Sequence, residues 1–155
     1  MRKLGNTNIQ ISALGLGTRQ FSNGGNFVGG FWDALPADTM RDIVAAAITN
    51  GINWFDTAQM YGNGTSEHNL AQALKAAGKK PGDVVIATKW WPVLKTSDNL
   101  RATIEERLAC LEGFPIDLHQ VHHDAVPCHA FNKVALSKGI RTRRLSAVGI
   151  DKKLM

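Results

Sequence analysis

Three stretches of this chain look like strands that end on a polar residue, and each follows a helical pattern. They are Ile52-Asn53-Trp54-Phe55-Asp56, Asp83-Val84-Val85-Ile86-Ala87-Thr88-Lys89 and Ile116-Asp117-Leu118-His119-Gln120-Val121-His122. Strict alternation of helix and strand leaves few ways to fold, because each helix carries the chain back so that the next strand runs parallel to the last. The fold class is therefore α/β. In such a sheet the catalytic candidates are the ionisable groups at the C-terminal strand ends, here Asp56, Lys89 and His122, with Tyr61 just past the first run. Tyr61 is the only tyrosine in the chain, so a reaction that needs a phenol has no second source.

The helices can be argued residue by residue. Asp38 after Pro36 is the expected N-cap of the first, whose Met40, Ile43, Val44, Ala47 and Ile48 recur at helical spacing before Gly51 stops it. The second starts near Ser66-Glu67, buries Leu70, Ala73, Leu74 and Ala77, and stops at Gly78. Ser97 or Asp98 caps a third, with Leu100, Ile104, Leu108 and Leu111 on one face and Gly113 and Pro115 behind it. Ahead of them, residues 2–12 suggest an N-terminal hairpin turning at Asn6-Thr7-Asn8, and Ser12 to Thr18 suggests a first buried strand. The glycine-rich segment 22–30 is expected to be a mobile active-site loop, and it lacks the Lys-Ser/Thr of a nucleotide-binding loop. After His122 come a short helix candidate at 130–136 and a last strand at 145–150. These elements amount to about five parallel strands and four helices, roughly half of an eight-stranded barrel that typically needs ~250 residues.

Strand parity gives the sheet two distinct sides. Trp54 shares a face with Asp56, Val85 and Ala87 share one with Lys89, and Leu118 and Gln120 share one with His122. Parity also weighs against a metal site, although His119, His122, His123, Cys128 and His129 lie close together in sequence: His119 and His122 point to opposite sides, and no paired-cysteine spacing accompanies them. Cys110 and Cys128 make no disulfide framework.

Charge narrows the partners. The net charge is +5, yet residues 133–155 hold 7 Lys/Arg against the single Asp151, so the basic excess is confined to that stretch. With no aromatic or glycine accompanying the charges in a recognisable RNA- or DNA-binding pattern, it is expected to be solvated surface and not a nucleic-acid patch. No run approaches the ~18 apolar residues of a membrane span, nor does the N-terminus have a signal-peptide core, so a cytoplasmic protein is expected.

Taken singly, Asp56 could cap a turn, Lys89 could be a solvated strand end, Tyr61 a loop aromatic and His122 a satisfied core histidine; their placement at successive strand ends outweighs those separate readings. The surrounding motifs resemble an aldo-keto reductase: Gly15-Leu16-Gly17-Thr18, Gly51-Ile52-Asn53-Trp54-Phe55-Asp56-Thr57-Ala58 with Tyr61-Gly62, Ser66-Glu67, Ile86-Ala87-Thr88-Lys89, and Asp117-Leu118-His119-Gln120-Val121-His122. The resemblance covers residues 1–124 well. Over 125–155, basic and divergent, it thins to Ala147-Val148-Gly149-Ile150, and Asp151-Lys152 stands where the family usually has a Ser-Asn pair.

The resemblance implies the N-terminal half of a (β/α)8 TIM barrel over 1–155 and an NADPH-dependent reduction of an aldehyde or ketone, NADH being the other cofactor to consider. It casts Tyr61 as general acid, Lys89 as the cation that eases its deprotonation, Asp56 as partner of Lys89, and His122 as donor to the substrate oxygen. Gly17, Thr18 and Asp56 would meet the cofactor, and Trp32 and Trp90 would wall a pocket for a small carbonyl substrate. Because the family's phosphate contacts come from beyond the fifth strand, weak or absent NADPH binding is expected of the short chain. Self-association is the expected way to cover its open sheet edges, and a cofactor-holding auxiliary subunit without turnover is the alternative function.

Overall fold

The computed structural model describes residues 1–24, 33–91 and 97–122. The glycine-rich loop beyond residue 24, Phe27, Phe31, Trp32, His123, Cys128, His129, the helix candidate at 130–136 and the last strand at 145–150 lie outside them. So do the side chains of Ser97 and Asp98, offered above as caps.

The first elements are a hairpin of β1 (Arg2–Lys3) and β2 (Gln10–Ile11), antiparallel with Arg2 opposite Ile11. Its turn closes where Leu4 donates its N–H to the Ile9 carbonyl at 2.9 Å and the Thr7 hydroxyl donates to the Leu4 carbonyl at 2.6 Å. The hairpin is moored to the sheet through Asn53, whose amide oxygen accepts from Ser12 N–H (2.8 Å) while its NH2 donates to the Gln10 carbonyl (2.8 Å).

A parallel sheet follows, in the order β3 (Leu16–Gly17), β4 (Trp54–Asp56), β5 (Val85–Trp90), β6 (Leu118–Val121). Between successive strands lie α1 (Ala37–Thr49), α2 (Thr65–Ala76) and α3 (Ser97–Cys110), with a short 3-10 turn at Arg19–Ser22 just after β3. The alternation expected from the sequence is therefore present, although β3 is only two residues long. Ser12 to Thr18 is not a buried strand: Ala13, Leu14 and Gly15 are exposed, Leu14 at 72%.

Alternation decides what each strand residue touches. Phe55, Ile86 and Trp90 face the helices and join Val44, Leu70, Leu74, Leu100, Ile104 and Leu111 in one buried core. Each fully buried aliphatic side chain there is worth about 1.5–3 kcal/mol relative to exposure. Glycines end two helices where expected: Gly51 at φ +81° and Gly78 at +73° adopt the left-handed conformation that stops a helix cheaply without a Cβ, whereas after α3 the left-handed turn begins one residue earlier, at Glu112 (+49°), and runs on into Gly113 (+98°).

The helix starts differ from expectation. Helix α1 begins at Ala37 with Pro36 in the cap position and no side-chain cap bond, because the proline ring carries no acceptor to offer the free N–H groups of the first turn. Asp38 sits inside that turn, where its charge complements the helix dipole and pairs with exposed Arg41 at 2.6 Å. Helix α2 starts at Thr65, one residue early, from a Gly64 at φ +103°. None of the helices among the described residues is long and apolar enough to cross a membrane.

Candidate active site

The parallel register brings three strand ends side by side. Asp56, the last residue of β4, pairs with Ala87 of β5, and Lys89 lies two residues further along on the same face. Next to it, Lys89 pairs with Gln120 of β6, and the N–H of His122, one residue past that strand, donates to the Trp90 carbonyl at 2.9 Å. Tyr61 arrives from the turn after β4. That turn is shaped by Gln59 N–H bonding the Lys89 carbonyl (3.0 Å), Tyr61 N–H bonding the Ala58 carbonyl (3.0 Å), and the Tyr61 carbonyl accepting from Ser66 N–H (3.1 Å) at the start of α2.

The four candidate residues converge. Lys89 Nζ donates to Asp56 Oδ2 at 2.6 Å and to the Thr57 carbonyl at 2.9 Å, which anchors the ammonium at two points. It stands 5.3 Å from the centre of the Tyr61 ring. The Tyr61 and His122 rings meet edge to face at 5.8 Å and 90°, and Trp91 meets His122 from elsewhere at 5.7 Å and 80°. A cation, a phenol and an imidazole are thus assembled at the mouth of the sheet, an arrangement suited to moving a proton to or from an oxygen held among them.

The expected wall residues need correcting. Trp90 is 2% exposed and packs into the helix-side core, because the residue after Lys89 in a strand must point the other way. The indole beside His122 belongs to Trp91, which has left the strand. Its backbone N–H is held by the Gln59 side-chain oxygen at 3.1 Å. Trp32 lies outside the described residues. Of the expected cofactor contacts, Gly17 pairs with Asp56 and has open space where a Cβ would stand, nothing lying within 4 Å. Thr18 is fully buried, and its hydroxyl lies 3.2 Å from the Asp56 carbonyl and 3.1 Å from Ser66 Oγ, so its side chain braces the interior and not the open face.

Parity holds for the two histidines, too. His119 is fully buried on the helix side, where burial first and the Arg107 charge second lower its pKa from 6.5 to about 4. Beside it, Glu67 (0% exposed) and Arg107 (2%) form an ion pair at 2.9 Å, and the Thr88 hydroxyl donates to the other Glu67 oxygen at 2.6 Å. Burial pushes the Glu67 carboxyl up, while Arg107 and Thr88 pull the other way. Sequence reasoning singled out Ser66-Glu67 as a helix start and a motif, but not the buried pairing of Glu67 with Arg107. The signal was available: Glu67 falls in phase with Leu70 and Leu74 on α2, and Arg107 in phase with Leu100, Ile104 and Leu111 on α3, so both charges lie on apolar stripes.

Comparison with known proteins agrees with the geometry. The Aldo/keto reductase family profile matches residues 13–136. An uncharacterized oxidoreductase of Mycobacterium tuberculosis, Rv2298, is 36% identical over 113 residues, which is 73% of this chain and 33% of that protein. A 6-dehydroglucose reductase of Novosphingobium aromaticivorans is 29% identical over 162 residues, 97% of this chain and 50% of the relative. Among solved structures, the thermostable aldo-keto reductase Tm1743 superposes with a TM-score of 0.68 at 28% identity, covering 90% of this chain and 50% of its own. The chain therefore spans between a third and a half of these relatives, and its sheet is part of an α/β barrel. With the profile covering most of the chain, this protein belongs to the aldo/keto reductase family.

Proposed function

We propose that the chain carries the proton-donating site of an oxidoreductase that reduces an aldehyde or ketone to an alcohol with NADPH, NADH being the other candidate donor. One observation carries the reading: Lys89, clamped by Asp56 and the Thr57 carbonyl, stands 5.3 Å from the only tyrosine ring in the chain. Open space at Gly17 beside Asp56 suits the approach of a flat ring, so Gly17 and Asp56 are the residues that would border a nicotinamide. The chemistry such a group supplies when bound is a hydride to the carbonyl carbon.

The chain's own residues handle the oxygen. A His122 ring N–H donates to the carbonyl oxygen and orients it, so that the negative charge that develops there meets a fixed donor. Tyr61 gives its phenolic proton to that oxygen, which completes the alcohol. The phenolate left behind is stabilised by the adjacent Lys89 ammonium, and solvent returns the proton. Asp56 keeps Lys89 in place. Trp91 against His122 gives the carbonyl an apolar wall.

The test is NADPH oxidation with a reactive aldehyde, comparing the chain with Tyr61→Phe. Loss of turnover in the variant with an unchanged thermal transition supports the reading, whereas equal rates in both would remove Tyr61 as the acid. Saturable cofactor binding with no turnover in either form would favour an auxiliary, non-catalytic subunit instead.

A further inference from the structure

The residues that flank Asp56 and Lys89 on the hidden side of the sheet are held by polar groups in a core that is mostly apolar. One residue past Asp56, Thr57 Oγ1 donates to Ser66 Oγ at 3.0 Å, and Ser66 Oγ donates to the Thr18 carbonyl at 2.6 Å. One residue before Lys89, Thr88 Oγ1 donates to Glu67 Oε1 at 2.6 Å, and Glu67 is secured by Arg107 at 2.9 Å. Thr18, Thr57, Ser66, Glu67 and Thr88 are all 0% exposed. Deeper in the same two strands, Phe55 and Ile86 are equally buried, and both are apolar.

Hydroxyls and an ion pair are a costly way to fill a core. A buried charge pair gains little over well-packed hydrocarbon of the same volume, so its value lies in fixing one arrangement among several. Here the arrangement it fixes is local. Ser66 and Glu67 are adjacent in the opening turn of α2, and the same turn holds the Tyr61 carbonyl through Ser66 N–H at 3.1 Å. A single helical turn thereby grips the loop of Tyr61, the strand end of Asp56 and the strand end of Lys89. The Thr57 carbonyl that accepts from Lys89 belongs to the very residue whose hydroxyl is tied to Ser66.

We propose that Ser66 and Glu67 are positioning residues that set Tyr61 against Lys89 by pinning Thr57 and Thr88 from the far side of the sheet. The role rests on the proposed reductase site but concerns its geometry, and it can be read without turnover. Apolar contacts alone would allow the two strand ends to slide against the helix. The directed bonds from Thr57 and Thr88 do not.

Because Tyr61 is the only tyrosine, ring-labelled tyrosine gives a single residue's signals in an NMR spectrum of the full 155-residue chain. Its shifts and its cross-peaks to His122 report the edge-to-face contact at 5.8 Å. Thr88→Val and Ser66→Ala are expected to displace those shifts and lose the cross-peaks to His122. Thr88→Ser, which keeps the hydroxyl, restores them, and Ile86→Val, an equally buried change outside the network, leaves them in place. The proposal is overturned if the tyrosine signals of folded Thr88→Val match those of the parent chain, or if Ile86→Val moves them as much. Should Ser66→Ala fail to fold, Thr88→Val with its serine rescue decides alone. A displaced tyrosine in a chain that binds NADPH yet reduces no carbonyl would refute the reductase reading and leave the positioning role standing. An unmoved tyrosine in an active enzyme would do the reverse.

Discussion

Lys89 reaches Asp56 diagonally across two parallel strands: the backbone register pairs Asp56 with Ala87, yet Lys89 Nζ lies 2.6 Å from Asp56 Oδ2. The two-residue stagger lifts the ammonium past the end of β4, to the level where the turn delivers Tyr61. Side-chain exposures of 16% for Lys89 and 30% for Asp56 leave the pair partly screened by solvent, so its main effect is on placement of charge and only modestly on stability.

Replacement of Lys89 by methionine keeps an unbranched four-atom stem and removes the ammonium. Carbonyl reduction is expected to fall by roughly 10²–10⁴, the range that a well-placed acid–base system contributes. Stability should drop by only about 1 kcal/mol, since water reaches the stranded carboxylate. Rate measurements with a reactive aldehyde, paired with thermal unfolding, check both numbers; a variant that keeps its rate would show that Lys89 is not part of the chemistry.

The Glu67–Arg107 pair separates stability from geometry. Arg107→Leu alone should cost about 3–5 kcal/mol, because it strands a buried carboxylate. The double change Glu67→Met with Arg107→Leu should recover most of that loss, as hydrocarbon replaces both charges. Denaturant titration of the two variants tests this, and a double variant no more stable than the single one would contradict it.

Gly64 is expected to tolerate no side chain. Its φ is +103°, and a Cβ there would stand 2.6 Å from Cys110 Sγ. Backbone strain and overpacking each carry a cost of about 1–3 kcal/mol, so Gly64→Ala should lose roughly 2–4 kcal/mol in chemical denaturation. Adding Cys110→Ala should return the part due to the clash and none due to the backbone. Full recovery would mean that strain at residue 64 is negligible.

His119 should make the fold acid-sensitive. Its imidazole is neutral in the fold down to about pH 4, whereas an ordinary histidine takes up a proton near 6.5. Above pH 6.5 neither state is protonated and the group has no effect. Between 6.5 and about 4 the unfolded chain binds the extra proton, so stability falls as pH falls, and the loss is complete below about pH 4. The total is about 3 kcal/mol. Denaturation midpoints across this window should slope less steeply in His119→Leu; parallel slopes would assign the acid sensitivity elsewhere.

Much of this is legible in the sequence. The apolar faces of α1, α2 and α3 and their glycine stops follow from spacing, and the shared side of Asp56, Lys89 and His122 follows from strand parity. Trp90 was misplaced for want of the same rule, since nearness to Lys89 in sequence means the opposite side in a strand. The run from Ser12 to Thr18 looked buried because it is apolar, but Leu14 is exposed and only Leu16 and Gly17 pair with β4. Ser66-Glu67 stands out in the sequence as a helix start and a family motif, but its burial with Arg107 does not, because polar side chains are ordinarily assigned to solvent and only the phase of Glu67 and Arg107 within the apolar stripes marks them as interior.

The bond between Gln59 and Trp91 uses a side chain on one partner and the backbone on the other. The oxygen comes from Gln59, two residues before Tyr61, and the N–H from the main chain of residue 91. Whatever side chain occupies position 91, other than proline, the same N–H is available to bond Gln59. In the proposed reductase site, the wall facing the substrate could therefore be exchanged, one amino acid for another, while the turn that carries Tyr61 keeps its tether. On that reading, descendants of such a chain would be free to drift in what they accept without having to rediscover how to protonate it.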